Sequence, residues 1–220
     1  MIYLMSNHAR VGKLRRNGHN VGWMIGADGW RKPTRDGTEL PYALDNGMYF
    51  QHGGTPQGPE RLCEFFGRVG KALAFHAPLF AIVPDMPYSA EETIRRWTFW
   101  HKQCEHLAPA WRWGLAVQDG MTPSDLERLA FAASPDRYAV CVGGSSSWKD
   151  ATIPMWAKWC RESGVWCHVL RVNNPPRIQR CQDEGVGSVD GTGLFPGGRG
   201  TASARDMESW ATVPVVKEAP

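Results

Sequence analysis

The sequence lacks the features that mark membrane proteins and secreted proteins. No stretch approaches the roughly 20 apolar residues that a helix needs to cross a bilayer, and the apolar run near the N-terminus is too short for the core of a secretory signal. The six cysteines are widely spaced, with no C-x-x-C or C-x-C motif, which disfavours a disulfide framework. We therefore expect a cytoplasmic protein with reduced, partly buried thiols and no membrane partner.

Phosphate-binding motifs and a strong charge of one sign are also missing. No G-x-G-x-x-G follows a first strand and there is no P-loop, so the common nucleotide-binding folds are disfavoured. The formal net charge of +3 is too small to indicate nucleic acid by itself. Basic residues do cluster within residues 13–16 and 31–35, among Gly, Asn and Trp. These clusters fit phosphate-facing loops or a solvated surface equally well.

What the sequence does contain is a regular alternation of apolar runs and amphipathic segments. Several runs are continuously apolar, as in strands buried on both faces. The predicted strands are IYLM (2–5), VGWMIG (21–26), YALD (42–45), LFAIVPD (79–85), WGLAVQ (113–118), YAVCVGG (138–144), CHVLRV (167–172) and GSVD (187–190). The predicted helices lie within residues 58–76, 89–107, 122–133, 149–163 and 175–185.

Eight strands with helices after most of them predict a compact α/β protein, a (β/α)8 TIM-like barrel. An open doubly wound sheet is the alternative. We expect one domain over residues 1–220, with a frayed tail from about residue 213. The first two crossovers, residues 6–20 and 27–41, are predicted to be loop-like.

Polar residues and glycines recur where the predicted strands end. They are Asp45 and Asn46, Asp85, Gln118, Gly143 and Gly144, His168 and Asp190. Catalytic groups of such barrels come from the carboxyl ends of the strands. Each residue alone also fits ordinary turn chemistry, and His168 alone also fits a hydrogen-bonded histidine inside a barrel.

This set of residues suits a pocket for a flat heterocycle. Two carboxylates can divide the work of nucleophile and general acid or base if their surroundings separate their pKa values. A glutamine and a third aspartate can bind the edge of a purine-like base, and a Gly-Gly strand end lets a ring approach the backbone closely. The sequence thus indicates a base pocket with a carboxylate beside a sugar carbon.

The motifs ALDNG, IVPD, LAVQDG, YAVCVGG, CHVLRV and GSVDGTG occur in this order over about residues 40–195. In this order they resemble the tRNA-guanine transglycosylases. The resemblance is closer to the DpdA-type 7-deazaguanine DNA transglycosylases of phages and bacteria. It implies an enzyme that exchanges guanine in DNA for a free 7-deazaguanine base, such as 7-cyano-7-deazaguanine, without a cofactor.

The resemblance also implies roles for single residues. Asp190 would be the nucleophile that attacks the sugar C1′ and forms a glycosyl-enzyme, with Asp45 as general acid and base. Asp85, Gln118 and the backbone of Gly143 and Gly144 would hold the base, which must be flipped out of the duplex.

Further binding residues are less specific candidates. Asn46 and His168 are candidate contacts to the substrate, and Tyr49, Phe50 or Tyr88 could stack on the base, with core packing as the alternative. Candidate contacts to DNA phosphates are Arg15, Arg16, Arg171 and Arg199. His168 and Arg171 are three apart in one predicted strand, so we expect them on opposite faces.

The chain departs from the family pattern in three ways. Asn46 stands where serine is usual, and Met48 where a second glycine is common. No cysteine follows Asp190, so the zinc site of the tRNA enzymes is absent, which favours DNA over tRNA. Cys160, Cys167, His168 and Cys181 match no standard metal spacing, and we expect no metal.

Two other functions fit the same residues. A glycosidase on the same barrel would let water take the place of the incoming base and would leave abasic sites. A DNA- or tRNA-binding accessory protein would have lost catalysis, and its acids would point away from the mouth of the barrel. The sequence makes no prediction of the oligomeric state.

Overall fold

The structure, a computed structural model, describes residues 1–6, 11–16, 18–26, 30, 32–35, 38–48 and 59–191. The strands in this part of the chain are β1 (Ile2–Ser6), β2 (Val21–Ile25), β3 (Thr34–Arg35), β4 (Thr38–Glu39), β5 (Tyr42–Leu44), β6 (Ala81–Ile82), β7 (Trp113–Val117), β8 (Tyr138–Val142), β9 (Trp166–Val169) and β10 (Ser188–Gly191). The α-helices are α1 (Val11–Arg16), α2 (Pro59–Ala72), α3 (Ala90–Leu107), α4 (Pro123–Arg128), α5 (Ser146–Ser163) and α6 (Pro175–Asp183).

Eight strands close into a parallel barrel in the order β1, β10, β9, β8, β7, β6, β5, β2. Closure occurs at β1, where Leu4 lies opposite Gly22 of β2 on one side and Asp190 of β10 on the other. The predicted (β/α)8 barrel is confirmed, all eight predicted strands are present, and the open doubly wound sheet is excluded. Strands β3 and β4 form a separate antiparallel pair.

The strands are continuously apolar because both faces are covered. Ala43, Ala116 and Cys141 belong to a cluster inside the barrel. Their neighbours Leu44 and Val117 pack in the outer layer together with residues of the helices. Since side chains alternate along a strand, the residues two positions after the inward ones also face inward. This alternation points Asp45, after Ala43, and Gln118, after Ala116, toward the barrel axis.

Two of the predicted helix starts are confirmed in detail. The Ser89 hydroxyl caps α3 by accepting a hydrogen bond from the Glu92 N–H at 3.4 Å. Thr122 precedes Pro123 at the start of α4 and forms a capping box with Asp125. Both helices therefore begin where the sequence places an N-cap residue.

Several sequence predictions of element bounds are wrong; β6, for example, covers only Ala81–Ile82 of the predicted 79–85. The first crossover contains α1, whose Val11 is fully buried. Six residues are too few to show the repeating pattern of apolar residues that predicts a helix from sequence. The second crossover contains the short β3–β4 pair. Strand β9 ends at Val169 rather than at residue 172, because Arg171 adopts a left-handed backbone with φ +55°.

Phe80 directly precedes β6 and packs in the cluster inside the barrel. It is fully buried, and its ring centroid lies 4.7 Å from that of His168. We predict that Phe80→Ala lowers the free energy of unfolding by about 3–5 kcal/mol, since it leaves a cavity in a packed interior. The matched variant Phe99→Ala, at a side chain that is 59% exposed, should cost less than about 1 kcal/mol. Urea denaturation of both variants tests this, and equal losses would contradict it.

Candidate functional site

Asp190 is the next-to-last residue of β10 and has two partners for one of its carboxylate oxygens. Its Oδ1 lies 3.1 Å from Nε2 of His168 and accepts a hydrogen bond from the backbone N–H of Arg171 at 3.0 Å. Among the described residues, none donates a hydrogen bond to Oδ2. Within the described ranges, the carboxylate is therefore held through Oδ1 alone.

His168 lies behind Asp190 in the barrel interior and is fully buried. Its Nδ1 lies 2.8 Å from the Ser188 hydroxyl, and the oxygen of that hydroxyl accepts a hydrogen bond from the indole N–H of Trp166 at 3.0 Å. This arrangement matches the hydrogen-bonded barrel histidine that the sequence left open as an alternative. Contact between His168 and a substrate stays a prediction.

Asp85 follows β6 and is bound by two side-chain amides. Asn46 donates to its Oδ1 at 2.8 Å and Gln118 donates to its Oδ2 at 2.6 Å. Asn46 also donates to the Val83 carbonyl at 2.9 Å, so both of its amide hydrogens are used. The three polar side chains are buried, and the network fixes the position of Asp85.

Gln118 connects this network to two further chain segments. Its Oε1 accepts hydrogen bonds from the backbone N–H groups of Gly144 and Tyr88, each at 2.9 Å. Because both partners are N–H donors, this end of the side-chain amide must be the oxygen. The Nε2 group donates one hydrogen to Asp85, and its other hydrogen has no partner among the described residues.

The two glycines after β8 make room for neighbouring side chains. A Cβ on Gly143 would lie 2.9 Å from Nε2 of Gln118, and one on Gly144 would lie 2.4 Å from Oδ2 of Asp119. Gly144 also has φ +72°, a conformation that favours glycine. The Gly-Gly pair thus shapes the site from its backbone, and its contact with a base stays a prediction.

Asp45 follows β5 and is partly exposed. Its Oδ1 accepts a hydrogen bond from the Gly47 N–H at 3.2 Å. Burial raises the pKa of Asp45 above its usual range, and the charge of Asp190 raises it further. The Gly47 hydrogen bond and the charges of Arg68 and Arg171 oppose this rise. A raised pKa keeps the carboxyl protonated to a higher pH than an ordinary aspartate, which suits a general acid.

The three carboxylates converge at one end of the barrel. Burial raises the pKa of Asp85 to about 6, and the charge of Asp45 contributes to this rise. The hydrogen bonds from Asn46 and Gln118 act in the opposite direction and lower the pKa. The pKa of the buried Cys141 thiol is raised by burial, by Cys167 and then by Asp190, Asp85 and Asp45 together. All three acids therefore lie near one inward-facing thiol, so the structure brings these predicted site residues together.

Arg171 crosses the mouth of the barrel. Its guanidinium donates to the Gly144 carbonyl at 2.7 Å and to the Tyr88 hydroxyl at 3.3 Å, and it lies 5.8 Å from the centroid of the Tyr88 ring. The expectation that His168 and Arg171 lie on opposite faces of a strand is wrong, because β9 ends before Arg171. The left-handed turn lets both residues reach Asp190.

Arg15 and Arg16, two of the other predicted phosphate contacts, are not part of this cluster. Arg15 donates to Oδ1 of Asn20 at 3.0 Å, and Asn20 donates to the carbonyl of Met1 at 2.9 Å. Met1 precedes β1, so Arg15 lies at the amino end of the barrel, opposite Asp190, and Arg16 follows it at the end of α1. Arg199, Tyr49 and Phe50 lie outside the described residues, and nothing tests their predicted roles.

Three residues that sequence reasoning missed support the site. Ser188 could have been found, because it lies two residues before Asp190 and so on the same face of the strand. Arg68 of α2 donates to the carbonyls of Asp45 and Asn46 at 3.3 and 3.2 Å. Lys149 of α5 is buried and donates to the Leu170 carbonyl at 2.7 Å. No local signal marks these two residues, since their partners are distant in sequence.

The described ranges contain neither a candidate metal cluster nor a candidate membrane span. Within those ranges, no group of three His, Cys, Asp or Glu side chains is arranged to hold a metal ion. None of the helices there has the length and apolar character required to span a bilayer.

No family model matches the chain, and no curated protein matches it. Among solved structures, the chain is similar to a crystal structure described as a "putative phosphonomutase" from Burkholderia cenocepacia J2315. That likeness has a TM-score of 0.44 at 16% sequence identity and covers 86% of each chain. A likeness of this strength carries no argument about function, which depends instead on the site itself.

The pKa of Asp85 gives a prediction about stability. Because folding raises this pKa from about 3.9 to about 6, the folded state binds more protons than the unfolded state between these values. We predict that the Asp85 contribution to stability is present below about pH 4 and is lost as the pH rises through about 6. A carboxyl resonance titrating near pH 6 in ¹³C NMR, absent from Asp85→Asn, is the expected signal. A resonance that titrates near pH 4 would contradict it.

Gly144 gives a further prediction about stability. Gly120 and Gly144 both have positive φ, but only at Gly144 would an added Cβ meet other atoms within 4 Å. Gly120→Ala should lower the free energy of unfolding by about 1–2 kcal/mol, because alanine disfavours a left-handed backbone. Gly144→Ala should cost clearly more, because Asp119 must also move. Thermal unfolding of the two variants compares them, and equal destabilisation would contradict the close approach.

Proposed function

We propose that the protein is a glycosyltransferase that exchanges guanine in DNA for a 7-deazaguanine base, such as 7-cyano-7-deazaguanine. The observation that carries the proposal is the state of Asp190, which has one oxygen held by two partners and, among the described residues, no donor to the other. The raised pKa of Asp45 and the Asp85–Gln118 pair at the same end of the barrel support it. So does the resemblance of the strand-end motifs to the DpdA-type enzymes.

In the first half of the proposed reaction, Asp190 displaces guanine. Its Oδ2 forms a bond to the sugar C1′ while the bond between C1′ and guanine N9 breaks. The electron pair of that bond goes to N9, and the protonated Asp45 carboxyl donates the proton that the departing base takes up. The products are free guanine, a glycosyl ester on Asp190 and the carboxylate of Asp45.

In the second half, the incoming base reverses these changes. The Asp45 carboxylate removes the N9 proton of the 7-deazaguanine, and N9 forms the new bond to C1′. The bond between C1′ and Oδ2 breaks, and its electron pair returns to the Asp190 carboxylate. The exchange needs no external energy source, because the glycosyl ester conserves the energy of the original bond.

The base would be recognised by the buried polar pair. Above about pH 6, Asp85 is ionised and can accept from N1–H and the 2-amino group of a guanine-like base. Gln118 has one amide hydrogen to donate to the 6-oxo group. Flipping the base out of the duplex would cost roughly a few kcal/mol. Arg171 at the mouth would bind a backbone phosphate after leaving Gly144 or Tyr88.

DNA is the proposed polymer rather than tRNA. Residues 191–220 contain no cysteine, whereas the resemblance to the tRNA enzymes would place zinc-binding cysteines after the last strand.

The proposal is tested by incubating the protein with guanine-containing DNA and labelled 7-cyano-7-deazaguanine. Wild type should incorporate the label, Asp190→Asn should not, and Asp183→Asn on the exposed surface of α6 should match wild type. Abasic sites without label would show a glycosidase instead. DNA binding without either reaction would show an accessory protein. Undiminished exchange by Asp190→Asn would contradict the assignment of the nucleophile.

Asp45 gives a separate prediction about proton transfer. Asp45→Asn cannot donate or accept the N9 proton, so the exchange rate should fall about 10²–10⁴-fold, the usual range for losing a general acid or base. DNA affinity in a fluorescence anisotropy titration should stay close to that of wild type. A loss of affinity with an unchanged rate at saturating DNA would contradict this role.

A further inference from the structure

We infer that His168 is a positioning residue that donates its Nε2 proton to Oδ1 of Asp190, and that with the Arg171 backbone N–H it forms a two-donor site that stabilises the Asp190 carboxylate as a leaving group. The inference rests on the proposed function and deepens it. It assigns His168 to the breakdown of the glycosyl ester rather than to binding the base.

The direction of the hydrogen bonds follows from the Trp166 indole. An indole N–H can only donate, so the Ser188 hydroxyl oxygen accepts from Trp166 at 3.0 Å. The Ser188 hydroxyl hydrogen can then donate to Nδ1 of His168 at 2.8 Å. Nδ1 is therefore the acceptor nitrogen, and the ring proton of neutral His168 lies on Nε2, 3.1 Å from Asp190.

The alternative forms of His168 fit the contacts less well. With the proton on Nδ1, the lone pair of Nε2 would face the Asp190 carboxylate, and the two would repel. With both nitrogens protonated, Ser188 would accept two hydrogen bonds, and its hydroxyl hydrogen would need a third partner. The described residues provide none.

The surroundings keep this arrangement rigid. His168 and Ser188 are fully buried, and the Phe80 ring packs against the imidazole with centroids 4.7 Å apart. In such a low-dielectric environment a hydrogen bond to a carboxylate is stronger than in water. His168 therefore has one orientation, and its donor is aimed at Oδ1.

The second donor is fixed by the turn after β9. Lys149 donates to the Leu170 carbonyl at 2.7 Å, and the Val172 N–H donates to the Asp190 carbonyl at 2.6 Å. These bonds hold the residues on either side of Arg171. The Arg171 N–H therefore points at Oδ1 while its side chain crosses the mouth.

The two donors matter most when the ester breaks. In the ester, Oδ2 is bonded to C1′ and Oδ1 is a carbonyl oxygen. When the incoming base attacks C1′, the electron pair of the C1′–Oδ2 bond returns to Asp190, and negative charge develops on both oxygens. Donors already aimed at Oδ1 stabilise this charge. In the first half, the same donors stabilise the free carboxylate before it reacts. Their loss should therefore slow ester formation less than it slows ester breakdown.

The kinetic test separates the two half-reactions. Single-turnover assays would follow the covalent DNA adduct on denaturing gels, first without and then with the incoming base. His168→Phe should slow adduct breakdown by about 10²-fold, the usual effect of losing one such donor, and should slow formation less, so that adduct accumulates. His168→Gln retains an amide donor and should restore part of the breakdown rate. The control His106→Gln, at an exposed position of α3, should match wild type.

A second measurement does not depend on activity. The ¹⁵N chemical shifts of the His168 ring in wild type should show a proton on Nε2. Ser188→Ala removes the partner of Nδ1 and should change these shifts. A proton on Nδ1 in wild type would overturn the inference even if the chain folds and reacts as proposed.

The possible failures can be told apart. If wild type exchanges bases and His168→Phe slows both half-reactions equally, the inference is overturned and the proposed function stands. If wild type never forms an adduct or incorporates base, the proposed function falls, and the assignment of His168 to ester breakdown falls with it.

Discussion

The parallel pairing of β10 between β9 and β1 is the constraint on which the site depends. It places Ser188 opposite His168 on one side and Asp190 opposite Leu4 on the other, and it closes the barrel at the same point. Closure covers the inner faces of the strands, and the helices pack on their outer faces, which explains the long apolar runs. It also brings the last strand-end carboxylate beside a histidine from the preceding strand. A shift of the β10 register by one residue would turn Asp190 to the outer face and separate it from His168.

Burial of several acids at one end of a barrel is costly unless each is compensated, and the compensation differs at each acid. Asp85 accepts from two side-chain amides, whereas Asp190 has His168 and a backbone N–H for a single oxygen. Asp45 is more exposed and has one backbone donor. These differences suit the roles that we propose for the three acids: Asp85 would bind the base, Asp190 would react with the sugar and Asp45 would move a proton.

The sequence predicts the barrel and the group of strand-end residues because both depend on local pattern. Asp45, Gln118 and Asp190 could be found, since each ends a buried run. The pairing of His168 with Asp190 could not, because it depends on the register between two strands. The position of Arg15 at the opposite end of the barrel could not be predicted either. It follows from the direction of α1, a helix too short to recognise in the sequence, and from the hydrogen bond to Asn20. The turn at Arg171 has a left-handed backbone that an arginine rarely adopts, and nothing in the sequence marks it.

The central claim is that Asp190 takes the sugar onto its carboxylate. The most direct measurement is peptide mapping by mass spectrometry of the protein quenched with acid during reaction with guanine-containing DNA. We expect a peptide that contains Asp190 and carries the mass of a nucleotide attached through the sugar, and this mass should be lost on addition of free base. A nucleotide attached to another residue, or release of guanine with no covalent adduct at any time point, would show that Asp190 is not the nucleophile.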